Sequence, residues 1–233
     1  MNDLGTHWPA GPPQPLLAGE EVHVWRVDLE AVAHASLRVL SCGERERAAR
    51  VLPARRGALW MRARAALREL IGSYLELAPA SVRLEVDAVG KPRLCWPSRG
   101  RTLSFNLSHS GSTALYAFAA EMSLGVDIET RAPRAALVPV ALRALGAREA
   151  GRLEQLAEPA RSQAFRQAWA AHEARGKCHG TGLWAGRSPA RDAPLVTIAL
   201  PAARGAGAAL ATEREPARVR CWSPAPVGAL AVP

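Results

Sequence analysis

The sequence predicts an α+β fold in which short strands and amphipathic helices follow one another along the chain. Three observations predict it. The stretch Leu124-Gly125-Val126-Asp127-Ile128-Glu129 alternates apolar and polar residues with the period of a half-buried strand. Over residues 55–77 the apolar residues recur instead at helical spacing. The order is strand, helices, strands, then helix and strands again, which divides the chain into two α+β halves of about 110 residues, although no internal repeat supports a duplication.

Taken in order, residues 1–20 are rich in Pro and Gly, carry no periodicity, and read as an irregular leader. Val22-His23-Val24-Trp25-Arg26-Val27-Asp28-Leu29 alternates and predicts a strand. Ser41 with Glu44 three residues on has the form of a capping box, opening a helix that runs to about Val51, before Pro53. In the long helix that follows, Leu59, Ala66, Leu70 and Tyr74, widened by Leu67, Ile71 and Leu75, make the apolar stripe. Arg55, Arg56, Arg62, Arg64 and Arg68 fall on its other face, where solvation is expected, and Pro79 ends the unit. Residues 82–86 alternate again until Gly90-Lys91-Pro92 interrupts them. Residues 102–111 read as a strand running into a tight polar turn, residues 114–119 as the return strand, and residues 124–129 as the third strand of an antiparallel meander. Residues 130–139 carry Pro133 and Pro139 and read as a loop. One helix is expected over 141–156 and a longer one over 161–179, with Phe165, Ala168, Trp169 and His172 on one side and Gly180-Thr181-Gly182 as its stop. Residues 185–217 are low in pattern, and 195–200, 219–222 and 227–232 are the candidate strands of the tail.

Composition narrows the class. Apolar residues make up 48% of the 233, enough for a globular core. No apolar run reaches the roughly 18 residues of a membrane span. The N-terminus lacks the basic and apolar regions of a secretory signal, so a cytoplasmic protein without membrane partners is expected. Cys42, Cys95, Cys178 and Cys221 are scattered, which fits reduced thiols and neither a disulfide frame nor a zinc site. The net charge of +9 suits an anionic partner. That charge is carried by 28 arginines and only two lysines, Lys91 and Lys177. An ammonium is a compact point charge that a guanidinium does not replace, so the two lysines are worth locating.

Two clusters have chemical potential. Residues two apart on a strand point to one side, so Asp127 and Glu129 project together. They are either two solvated acids or two oxygen ligands of a hard divalent cation. Glu173 and Lys177 are four apart and share a helix face. They are either a surface ion pair or a third acid with a lysine for the phosphate that the metal binds.

Four motifs in order carry a resemblance: Gly90-Lys91-Pro92; Phe105-Asn106-Leu107-Ser108-His109-Ser110; Gly125-Val126-Asp127-Ile128-Glu129; and Trp169 through Glu173-Ala174 to Lys177 and Gly180. Together they resemble the two-lobed, Sfp-type 4'-phosphopantetheinyl transferases. The resemblance implies a pseudo-dimer of two similar lobes, each with a small antiparallel sheet packed on helices, with the active site in the cleft between them. It sets the lobes at 21–115 and 116–233 after the leader. It implies transfer of the phosphopantetheine arm of coenzyme A to a serine of an acyl or peptidyl carrier domain, releasing adenosine 3',5'-bisphosphate. Such carriers serve fatty-acid, polyketide or non-ribosomal peptide synthesis, secondary metabolism among them.

The resemblance implies Mg²⁺ held by Asp127, Glu129 and Glu173, with Glu173 also the candidate base and Lys177 stabilising phosphate charge. Ser108 and His109 match positions that contact coenzyme A phosphates, and Lys91 marks the mouth of the nucleotide site. Arg45, Arg56, Arg62 and Arg64 are candidates for the 3'-phosphate. Two departures stand out. His172 occupies the place of a common family lysine, and Gly176 sits inside the helix at a cost of about 1 kcal/mol against Ala. A monomer working without nucleic acid is expected. The alternatives are a basic nucleic-acid-binding protein, which lacks a recognition motif, and an inactive relative that only binds carriers, against which the intact acids and lysine argue.

Overall fold

The computed structural model describes residues 8–87, 90–95, 103–131, 136–180 and 194–225. Within them two sheets lie face to face with a long helix on each outer side. The first sheet holds β1 (Glu21–Asp28), β4 (Leu103–Ser110), β5 (Thr113–Ala120) and β9 (Arg218–Trp222), in the order β4-β5-β1-β9. The second holds β6 (Leu124–Glu129), β7 (Val196–Ala199) and β8 (Gly207–Thr212), in the order β6-β8-β7. A small antiparallel hairpin of β2 (Leu84–Val86) and β3 (Pro92–Leu94) stands apart. No helix of the described residues is long and apolar enough to cross a membrane.

Side-chain size along β5 explains the layering. Ala114, Tyr116 and Phe118 point to one side and join Trp25, Val27, Leu67, Ile71 and Tyr74 in a core against helix α2 (Ala54–Leu75). Leu115, Ala117 and Ala119 point to the other and meet Val126, Ile128 and Leu210 of the second sheet. The bulky face takes a helix, and the alanine face takes a sheet at close range. Tyr116 ties the first sheet to α2 by donating its hydroxyl to the Ala63 carbonyl at 2.8 Å.

The outer face of the second sheet is built of very small residues. Gly125 on β6, with Gly207, Ala209 and Ala211 on β8, lies under helix α5 (Ala160–His179). A Cβ on Gly125 would run into the Ala174 carbonyl and the Cys178 amide, and would sit 2.9 Å from Lys177 Cβ. A Cβ on Gly207 would strike the backbone of Arg166 and Gln167. Gln167 adds a hydrogen bond from Nε2 to the Ala208 carbonyl at 2.9 Å. α5 therefore rides directly on the strand backbones.

Helix α1 (Cys42–Ala49) starts with the expected capping box. Glu44 N donates to Ser41 Oγ at 3.3 Å, and Ser41 N donates back to Glu44 Oε2 at 2.8 Å. Other expectations are corrected. The three-strand meander does not form: β4 and β5 pair, but β6 leaves to start the second sheet. The single helix expected over 141–156 is two, α3 (Leu137–Ala144) and α4 (Ala147–Glu154), because Gly146 turns the backbone at φ +93°. α3 also begins inside the loop expected over 130–139, with Pro139 in its first turn, where a missing N–H costs nothing. β8 lies in the stretch read as low in pattern, since Gly207-Ala208-Ala209-Leu210-Ala211-Thr212 has little hydropathy contrast. Arg64 and Arg68 are not solvated: they are 8% and 4% exposed, and both lie against Glu44. The boundary expected at 115/116 falls inside β5, and β9, from far along the chain, pairs in parallel with β1. That makes the first sheet mixed rather than wholly antiparallel. Residues 227–232 lie outside the described residues.

Gly125→Ala is expected to lower the unfolding free energy by about 1–3 kcal/mol, because backbone rather than flexible side chain opposes the new methyl. Urea denaturation of parent and variant measures it, and an unchanged midpoint would contradict the close approach of α5.

Candidate active site

The alternation of β6 sends Leu124, Val126 and Ile128 into the core between the sheets. Gly125, Asp127 and Glu129 therefore face α5. Asp127 is 4% exposed, and a carboxylate so buried needs partners. Its Oδ1 accepts two hydrogen bonds, from Ser108 Oγ at 2.7 Å and from Lys177 Nζ at 2.7 Å. Its Oδ2 is buried with no hydrogen-bond partner. Lys177 also donates to the Val126 carbonyl at 3.2 Å. The lysine thus reaches across to β6 and pairs with Asp127, where the helical spacing alone allowed a surface pair with Glu173.

Glu129 and Glu173 stand near this pair, and each carboxyl is pushed up to about 7. For Glu129 the causes are loss of water, then the charges of Asp127 and Glu173. For Glu173 they are loss of water, then Asp127. Lys177 draws both back. Three acids and one ammonium leave the site short of positive charge. Among the described residues no three His, Cys, Asp or Glu side chains lie close enough together to form a metal-ion set. The donors are nevertheless hard carboxylate oxygens, one of them orphaned. Such a set fits a hard divalent ion that takes the rest of its shell from water and substrate.

Beside the acids is a cavity of about 560 Å³. α2 contributes Trp60, Ala63 and Arg64; the β2–β3 turn contributes Gly90, Lys91 and Pro92; β4 contributes Asn106, Leu107 and His109; α5 contributes residues from His172 to its cap at Gly180. Its wall carries Arg64, Lys91, Arg175 and Lys177, with His109, His172 and His179, against Glu173 as the acid. Both lysines of the chain are there. Lys91 Nζ donates to the carbonyl of Lys177 at 3.1 Å, tying the hairpin turn to the end of α5. Burial, then Arg93, holds the Lys91 ammonium below the usual lysine range. Partial loss of water, then Lys177, lowers His109.

The four expected arginines separate. Arg64 lines the cavity, its guanidinium 5.1 Å from the Trp60 ring centre and its Nη1 buried without a hydrogen-bond partner. Arg47 lies over the same ring at 5.9 Å. Arg45 donates to the Arg38 carbonyl, Arg62 donates to the carbonyls of Leu29 and Glu30, and Arg56 is exposed; none of the three lines the cavity. Ser108 turns inward to Asp127 while its neighbour His109 lines the cavity. Trp60, Arg175 and His179 were not anticipated. Trp60 lies one helical turn before Arg64, and that spacing was the available signal.

The fold and the cavity define an α+β protein with a cation-lined cavity beside partly buried carboxyls. A model of the 4'-phosphopantetheinyl transferase superfamily matches residues 123–224. The chain is 32% identical over 179 residues to the 4'-phosphopantetheinyl transferase HetI of Nostoc sp., covering 76% of each protein. A second relative, slr0495 of Synechocystis sp., also carries a 4'-phosphopantetheinyl transferase name; it is 33% identical over 123 residues, which is 53% of this chain and 50% of that one. The chain belongs to the 4'-phosphopantetheinyl transferase superfamily and is an enzyme of that kind.

The raised carboxyls predict a pH effect on stability. A carboxyl near 7 in the fold and 4.5 when unfolded stabilises fully below about pH 4.5, and that contribution is lost as pH rises through about 7. In EDTA the melting temperature is expected to fall between about pH 5.5 and about pH 8, and to fall less in Glu129→Gln. Equal slopes for parent and variant would rule out Glu129 as a source.

Proposed function

We propose that the chain moves the 4'-phosphopantetheine arm of coenzyme A onto a serine of an acyl or peptidyl carrier domain, releasing adenosine 3',5'-bisphosphate, with Mg²⁺ as cofactor. The observation that carries this reading is the cavity: a wall of four cations with Glu173, next to the carboxyls of Asp127 and Glu129 whose charges act on one another, suits a pyrophosphate that arrives with a divalent ion. Asp127, Glu129 and Glu173 would hold the ion. When bound, Mg²⁺ neutralises charge on the pyrophosphate and aligns it for attack.

The remaining roles belong to the chain. Glu173 lines the cavity, which places its carboxylate beside the reacting groups as the candidate base. It takes the proton as the carrier serine oxygen bonds to the β-phosphorus, and the bond from that phosphorus to the bridging oxygen breaks. Lys177 uses two donors on Asp127 and Val126 and has a third for the phosphates, where it stabilises the leaving group. His109 and Lys91 face the nucleotide end. Of the four candidate arginines, Arg64 is the one for the 3'-phosphate, because it alone of them lines the cavity.

The two sheet-and-helix pairs are read as the lobes of an Sfp-type pseudo-dimer with the cavity as its cleft. The division is best drawn between β5 and β6, at residues 121–123, with β9 returning to the first lobe. The net charge of +9 suits an acidic carrier surface, and the enzyme is read as a cytoplasmic monomer.

Mass spectrometry of a panel of carrier domains tests the reading. A carrier is expected to gain the mass of the arm with coenzyme A and Mg²⁺ and not in EDTA. Asp127→Ala is expected to slow transfer by about 100-fold. Arg64→Ala is expected to raise KM for coenzyme A about tenfold, the worth of one charge-assisted hydrogen bond. Transfer by Asp127→Ala at the parent rate would remove the metal assignment, and an unchanged KM would remove Arg64.

A further inference from the structure

Three polar side chains on one side of β4 are spaced two apart, and each bonds to β6 or the residue after it. Asn106 Oδ1 accepts from the Val126 amide at 2.9 Å, Ser108 Oγ donates to Asp127 Oδ1 at 2.7 Å, and Ser110 Oγ accepts from the Thr130 amide at 3.0 Å. β4 and β6 belong to different sheets and share no backbone ladder. These side chains do the lacing instead. Two of the three contacts end on backbone and merely hold the strands together. The middle one ends on a functional carboxylate.

That middle contact has a directional consequence. Asp127 Oδ1 receives Ser108 from β4 and Lys177 from α5, each at 2.7 Å. Two short donors on one oxygen fix the plane of the carboxylate and leave Oδ2 as the oxygen without a partner. The strand, the helix and the lace come from three parts of the chain, so the carboxylate has little freedom to turn.

We infer that Ser108 is a positioning residue for the metal site: with Lys177 it pins Asp127 Oδ1, so that Oδ2 alone is presented to the divalent cation. This rests on the metal assignment made above and goes beyond it. It also gives Ser108 a role apart from the coenzyme A contact that the motif implied. Ser108 acts through Asp127 and is not one of the residues lining the cavity. Groups next to metal ligands that orient them in this way commonly govern metal affinity by 10–100-fold.

The test separates metal binding from nucleotide binding. Mn²⁺ is titrated into parent, Ser108→Ala and Ser108→Thr at saturating coenzyme A and followed by electron paramagnetic resonance. Coenzyme A binding is measured separately in EDTA by calorimetry. Ser108→Ala is expected to weaken Mn²⁺ binding by about 10-fold or more while leaving coenzyme A binding in EDTA within about twofold, and Ser108→Thr is expected to restore Mn²⁺ affinity. Should Ser108→Ala fail to fold, Ser108→Cys, similar in size with a weaker donor, carries the same expectation. Unchanged Mn²⁺ affinity, or loss of coenzyme A binding in EDTA with Mn²⁺ affinity kept, overturns the inference. Asp127→Asn tells the two levels apart. If it loses Mn²⁺ and Ser108→Ala does not, the positioning role alone falls; if it binds Mn²⁺ like the parent, the metal assignment falls as well.

Discussion

The close seating of α5 on the second sheet is the constraint on which the site depends. An aspartate side chain is short, and Asp127 is almost wholly buried. It meets the ammonium of Lys177 only because the helix runs directly over the strands, and the helix runs there only because Gly125, Gly207, Ala209 and Ala211 present almost no side chain. The same small residues weaken the apolar contribution of that interface, since alanines bury little area. The interface gains in compensation from hydrogen bonds such as Gln163 Nε2 to the Ala206 carbonyl at 2.7 Å and Gln167 to Ala208. Geometry has been favoured here over hydrophobic area.

Charge is distributed with the same economy. The acids sit where the helix meets the sheet, and the fixed cations line the cavity next to them. Lys177 belongs to both groups, bonded to Asp127 and open to the cavity wall. Lys91 contacts the backbone of that same residue from the other side of the cavity. A chain with 28 arginines therefore places both of its lysines around one helical turn. A compact ammonium can satisfy a backbone carbonyl in a confined space where a planar guanidinium needs room for its fork.

Much of this was legible in the residues. The capping box at Ser41, the long helices and the acid-bearing strand follow from local spacing, and α5 runs over Ala160–His179 where 161–179 was expected. Spacing made Asp127 and Glu129 legible as one pair and Glu173 and Lys177 as another, and only the resemblance implied that the two pairs belong to one site. What local spacing does not encode is which strand pairs with which. β6 alternates as an edge of a meander would, yet it opens another sheet. The inward turn of Ser108 was hidden for a similar reason, since alternation assigns a face but not the partner waiting there. Arg64 and Arg68 looked like solvated charges because Glu44, the carboxylate that lets them enter, lies on another helix. β8 was invisible because alanine and glycine carry no periodic signal, although that blandness is what the seating of α5 requires.

The pairing of β1 with β9 bears on how the molecule comes into being. Glu21 registers with Arg218 and Trp25 with Trp222, and the leader adds a bridge from Ala10 to Ser223. During synthesis, β1, β5 and β4 emerge early and can associate, but one edge of β1 has no partner until almost the whole described chain has left the ribosome. Such a long closure is slow to form, and an unpaired edge strand is a template for pairing between molecules. The sheet begun by the first half of this enzyme therefore stays unfinished until β9, the last of the described strands, has been made.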